Sequence, residues 1–124
     1  IRRHFQDNKP MVAECGGLLY CLQSLADKQG NRAPMLDLLT GHGKLQNQLV
    51  GLGMHSIELP QGQIRGHSFH HCLIENAASP YQYTQPQYEA DAKGEAVYRR
   101  KGLFASFLHM HFPSNPHASA SLFN

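Results

Sequence analysis

The sequence predicts an α/β domain with an open, mostly parallel central sheet and flanking helices, incomplete at its N-terminal side. Two stretches carry that reading. From Lys9 to Glu14 a turn signal runs into a short apolar segment, Cys15-Gly16-Gly17 interrupts it, and Leu18, Leu19, Leu22 and Leu25 recur at helical spacing. This is the pattern of a strand, a tight glycine turn and a helix. From Gly102 to Phe112, period two puts Leu103, Ala105, Phe107, His109 and His111 on one face and Phe104, Leu108, Met110 and Phe112 on the other. A strand apolar on both faces is covered on both faces. Its C-terminal end carries His109 and His111, at the edge where open α/β sheets bind their ligands.

The remaining elements follow from punctuation and alternation. The polar stretch Asp27 to Arg32, with Gly30, ends the helix, Pro34 to Leu39 is a brief apolar piece, and Gly41-His42-Gly43 is a loop. Leu49 to Leu59 reads as extended, with Gly51 and Gly53 marking a bulge or a close backbone approach. Pro60-Gln61-Gly62 turns the chain into a strand over Ile64 to Ile74, whose apolar members are Phe69, Cys72 and Leu73. Glu75 to Gly94 is a polar surface excursion carrying Tyr81, Tyr83 and Tyr88. Ile1-Arg2-Arg3-His4-Phe5 starts without Met and reads as the last turns of a helix, so a fragment is expected, with residues 1–124 forming a single domain.

Composition narrows the function classes. A chain of 124 residues with 41% hydrophobic residues can build one core. Charged residues make up 16%, below the roughly 25% of an average domain, and nine histidines equal the nine carboxylates. The net charge of +2 is thinly spread, with no basic stripe for nucleic acid. No apolar run approaches the ~18 residues that span a bilayer, and the start lacks the plan of a signal peptide. Cys15, Cys21 and Cys72 are an odd set without a C-x-x-C pair, which argues against a disulfide framework or a cysteine zinc site and for a reduced, cytoplasmic setting.

Cys15 sits at a strand-to-helix junction next to Gly16 and Gly17, the setting of a nucleophile elbow. The following helix N-terminus is expected to lower the thiol pKa and to offer backbone N–H groups to an oxyanion. The alternative is a small buried apolar Cys, which is the reading given to Cys21 and Cys72. His109 is the natural base for a thiol, with a satisfied core histidine as its alternative, and His111 either orients His109 or lines the pocket. His67, His70, His71 and Cys72 make a metal alternative, although on a strand His67 and His71 point one way and His70 the other. Gly41-His42-Gly43-Lys44-Leu45 lacks the first Gly and the Ser or Thr of a phosphate loop.

Three motifs in order, Ala13-Glu14-Cys15-Gly16-Gly17-Leu18-Leu19-Tyr20, Gly66-His67-Ser68-Phe69-His70 and Ala105-Ser106-Phe107-Leu108-His109-Met110-His111-Phe112, resemble the class I glutamine amidotransferase domain of cobyrinic acid a,c-diamide synthases. The resemblance runs from about Pro10 to Pro116. It implies a flavodoxin-like α/β fold, with Cys15 attacking the side-chain amide of glutamine and His109 activating the thiol and protonating departing ammonia. It further implies Gly16, beside Gly17, as an oxyanion or substrate-binding donor, with His111, His67 and His70 in support and no metal. ATP and magnesium would belong to a synthetase domain upstream, and no cofactor is expected on this chain. The implied partners are glutamine and, through the synthetase domain, a corrinoid, with a homodimer allowed. The non-catalytic alternatives are a histidine-rich metal- or ligand-binding module and an inactive remnant. Two departures stand out: Ser68 replaces the Glu usual in the second motif, so that any role of that carboxylate is lost or moved, and His111 stands where many class I enzymes have an acidic residue.

Overall fold

The computed structural model describes residues 1–87 and 93–124. After a short helix α1 (Arg2–Gln6), the expected strand β1 (Met11–Glu14) leads through Cys15 into helix α2 (Gly16–Cys21). The helix is shorter than its leucine spacing suggests. Leu22 is already extended at φ −74° and ψ 177°, and Leu25 belongs to strand β2 (Ser24–Ala26), which pairs antiparallel with β3 (Arg32–Pro34). The Asp27 carboxylate fixes this turn by accepting the N–H groups of Gln29 and Asn31. Leucines three apart suit a helix, but Leu22 and Leu25 reach the same core from extended chain, so the Asp27 turn decides the local structure.

Strands β4 (His42–Leu59) and β5 (Gly62–Glu75) form one long hairpin. The bulge expected near Gly51 and Gly53 is present, because the register of β4 on β5 shifts between Leu45 and Val50 and again between Val50 and Gly53. The polar excursion contributes β6 (Gln82–Tyr83) and β7 (Gln85–Pro86), and Tyr88 lies outside the described residues. The chain then forms β8 (Ala96–Arg100), β9 (Leu103–Ser106), β10 (His109–Met110), a 3-10 turn at Phe112–Ser114 and helix α3 (Pro116–Ser121). Asn115 caps α3 by accepting the Ala118 N–H at 3.0 Å.

One sheet has the order β1-β9-β8-β6 and the other β10-β5-β4-β2-β3, with β7 added on β4. The α/β class stands, but among the described residues the sheets are mixed rather than mostly parallel. Only β1·β9 and β2·β4 run parallel. The other ladders include tight hairpins such as β4·β5 and β8·β9, whose short turns admit only antiparallel pairing.

The expected strand from Gly102 to Phe112 is broken. Residues Leu103 to Ser106 belong to the first sheet, whereas His109 and Met110 pair with Gly66 and His67 of β5 in the second. The Ser106 hydroxyl makes the break by donating to the Ala96 carbonyl and accepting the Leu108 N–H, which takes the backbone out of the ladder. Phe107 and Leu108 are buried on either side of it. Leu18, Leu19, Leu22, Leu103 and Phe107 join one hydrophobic cluster, and Ile57, Ile64, Phe104, Leu108 and Leu122 join another. Cys21 and Cys72 are packing residues of the first. No helix among the described residues is long and apolar enough to cross a membrane.

Candidate active site

The site begins with a backbone that most side chains avoid. Cys15 has φ 50° and ψ −106°, a conformation outside the regions comfortable for an L-residue and one that persists only where its surroundings over-determine it. The surroundings are specific. Its N–H donates to the Ser106 carbonyl at 2.9 Å and its carbonyl accepts the Leu19 N–H at 3.2 Å, so β9 and α2 grip the residue from both sides. Gly17 packs over Ala13, where a Cβ would meet the Ala13 Cβ at ordinary contact distance, and the space beside Gly16 is open.

The half-buried thiol does not follow the expectation of a lowered pKa. Burial pushes it up, the Gly16 N–H pulls it down, and the Glu95 and Glu14 carboxylates push it up further, for a net rise. A six-residue helix offers little dipole to offset this.

His109 is carried to the elbow region by β10. Glu14, the residue before the elbow, accepts the Met110 N–H at 3.1 Å and so ties the end of β1 to β10 across 96 positions of sequence. The His109 ring stacks on His67, with centroids 5.1 Å apart. Both rings border an open groove of about 460 Å³ lined also by Leu52, Met54 and Phe69. Among the described residues no hydrogen bond joins the Cys15 thiol to His109. His111 is exposed.

Behind β5 lies a buried polar network. His67 and His71 point outward while Ser68 and His70 point inward. Ser68 Oγ donates to Glu95 Oε1 at 2.6 Å and His70 Nε2 donates to the same oxygen at 2.8 Å. The His70 ring lies flat on Phe107 at 3.9 Å. Thr84 Oγ1 accepts the Glu95 N–H at 2.7 Å and lies 2.8 Å from His55 Nδ1. The β4 bulge makes room for the carboxylate: Gly51 has φ +70°, and a Cβ there would stand 1.8 Å from Glu95 Oε1. Among the described residues no cluster of three or more His, Cys, Asp or Glu side chains could hold a metal ion.

Residues 1–117 match the CobB/CobQ-like glutamine amidotransferase domain. The chain belongs to this family of amidotransferase enzymes. It is 45% identical over 123 residues to the hydrogenobyrinate a,c-diamide synthase of Stutzerimonas stutzeri and 44% identical to that of Pseudomonas aeruginosa, in each case covering 98% of this chain and 28% of the relative. It is 39% identical to the cobyrinate a,c-diamide synthase of Herminiimonas arsenicoxydans over 94% of this chain and 26% of that protein. The chain thus spans little more than a quarter of the length of these relatives.

In this amidotransferase domain the inner network is what sequence reading missed. Glu95 and Thr84 lie in a polar run without periodicity, and Glu14 reads as the end of a strand. The available signal was Ser68, a small hydroxyl at a fully buried strand position, which needs a polar partner.

The network also sets an acid limit on stability. Burial, ahead of the opposing influence of Glu95, holds the His55 pKa below its ordinary 6.5. The unfolded chain therefore takes up this proton first, and the folded state is penalised as pH falls below about 6.5. Burial pushes the Glu95 carboxyl up, but hydrogen bonds from His70 and Ser68 and the charges of His70 and His55 bring it below its ordinary 4.5. Its contribution is complete above that value and is lost as pH falls through the lower folded pKa. Thermal melts should show Tm flat from pH 8 to 7 and falling below about pH 6.5. In His55→Gln the upper step should vanish and the lower one remain, whereas an unchanged upper step would exclude His55 as its source.

Proposed function

We propose that this chain is the glutaminase portion of an a,c-diamide synthase of cobalamin biosynthesis, releasing ammonia from glutamine for the amidation of corrinoid carboxylates. The observation that carries the reading is Cys15, a thiol held at a strained strand-to-helix junction in a chain of a glutamine amidotransferase family. The a,c-diamide synthases to which it is similar supply the corrinoid part.

In the proposed reaction the Cys15 sulfur attacks the amide carbon of glutamine as His109 takes the thiol proton. The Gly16 N–H, which already favours the thiolate, donates to the oxyanion. The C–N bond breaks, His109 returns the proton to the leaving nitrogen, and ammonia departs. Water then cleaves the glutamyl thioester to glutamate. The raised thiol pKa means that the proton must be removed within the complex, which is the task given to His109. ATP-dependent activation of the acceptor, with its magnesium, is assigned to the synthetase portion of the whole protein, in the cytoplasm. No residue of this chain is given a part in it.

The test is intact mass after incubation with a diazo-ketone analogue of glutamine, with iodoacetamide as a measure of bare thiol reactivity. The expected result is a single adduct that is absent in Cys15→Ala, slowed in His109→Ala and suppressed by excess glutamine. Labelling of Cys15 by iodoacetamide without any diazo-ketone adduct would reject the glutaminase reading.

A further inference from the structure

A small cavity of about 170 Å³ opens beneath β5, lined by His70, Cys72, Glu95, Tyr98 and Phe107 among others. Its walls are mostly apolar, and Glu95 is the one carboxylate among them. Glu95 is 9% exposed, and only one of its two carboxylate oxygens is engaged: Oε1 receives both Ser68 and His70, while Oε2 has no hydrogen-bond partner among the described residues. Three features hold the group in place, namely the hydroxyl of Ser68, the His70 ring clamped flat on Phe107, and the missing side chain at Gly51. A buried carboxylate fixed by one oxygen and bare at the other, at the wall of a cavity, is built to receive a cation or a strong N–H donor. The cavity lies close to the elbow. Cys72 and Phe107 share a core cluster with Cys15, and the thiol feels the Glu95 charge.

We propose that this cavity holds the α-ammonium group of glutamine, with Glu95 Oε2 as its counter-ion and Ser68 and His70 as the residues that aim it. The inference rests on the glutaminase reading above and deepens it by assigning the part of the substrate that does not react. A γ-amide alone is a poor handle, because proteins carry many Asn and Gln side chains with the same group. A buried anion whose charge the thiol feels selects the free amino acid, since an internal glutamine of a peptide has no α-ammonium to offer.

The experiment measures how strongly glutamine and glutaramate, which is glutamine without its α-amino group, slow iodoacetamide labelling of Cys15 in this chain, read by intact mass. In the wild type, half-protection by glutamine is expected at a concentration about 30-fold lower than by glutaramate. In Glu95→Gln the preference should collapse to within about 3-fold, by loss of glutamine protection with glutaramate protection unchanged. Equal protection of the wild type by both compounds, which needs no variant to fold, would overturn the proposal while leaving the glutaminase reading standing. So would a Glu95→Gln protein that keeps the wild-type preference. A wild type that glutamine does not protect at all would overturn both.

Discussion

Cys15→Gly is expected to be more stable than Cys15→Ala by about 1 kcal/mol, the reverse of the usual order of these two residues beside a helix. Alanine keeps the Cβ and with it the cost of holding φ at 50° and ψ at −106°, a strain of about 1–3 kcal/mol. Glycine removes that cost and gives back roughly 0.5–1 kcal/mol in backbone entropy. Both variants lose the proposed nucleophile, so under the glutaminase proposal glutamine hydrolysis should fall by at least about 10³-fold in each. Urea unfolding of the two proteins side by side measures the difference. If the alanine variant were the more stable, the elbow would be relaxed, and the grip of Ser106 and Leu19 on its backbone would have no strain to hold.

Gly66→Ala should move His109, the base proposed for the Cys15 thiol, without touching either residue. Gly66 lies opposite Met110 in the β5·β10 ladder, and a Cβ on it would stand 2.2 Å from the His109 carbonyl oxygen and 3.1 Å from the Met110 Cα. Both neighbours are backbone, so no side-chain rotation relieves the clash, and β10 must part from β5. Overpacking of this kind costs about 1–3 kcal/mol, and an ångström of displacement at a catalytic group can cost about 10²-fold in rate. Labelling by the diazo-ketone analogue should therefore slow by about 100-fold. Labelling by iodoacetamide, which needs only an accessible thiol, should stay near the wild-type rate. Equal slowing of both reagents would mean that the elbow itself had been disturbed, and no slowing of either would mean that β10 does not position the base.

The parts of the fold that could be read from sequence are those where one residue type has one physical reason to be present. Gly16 and Gly17 after an apolar run announce the elbow, and Gly51 and Gly53 announce the bulge. The strand over Ile64 to Ile74 is real, but its apolar residues are divided between its two faces: Ile64 and Cys72 are buried. Phe69 and Leu73 are exposed, and Ser68 and His70 are buried, because the network around Glu95 replaces apolar packing there. The break after Ser106 was hidden by an alternation that continues unbroken through Phe107 and Leu108, both of which are buried once the chain has left its first sheet. The thiol pKa was misjudged because a helix start is visible in sequence, while the Glu14 and Glu95 carboxylates and the burial that oppose it exist only in three dimensions. The central sheet was expected to be mostly parallel from the βα unit and the strand apolar on both faces, and the hairpins that make the sheets mixed are set by turns elsewhere.

The pairing of β1 with β9 bears on the order in which the molecule is made. Among the described residues β9 is the one partner of β1, and most of the chain lies between Met11 and Leu103. The hairpin of β4 and β5 closes over a two-residue turn and can form early, whereas the β1·β9 ladder must wait for the closure of a very long loop. Cys15 is held in its strained backbone by a hydrogen bond to Ser106, the last residue of β9. On a ribosome the thiol therefore stays relaxed until Ser106 has emerged, and the elbow is set only once β9 has paired with β1.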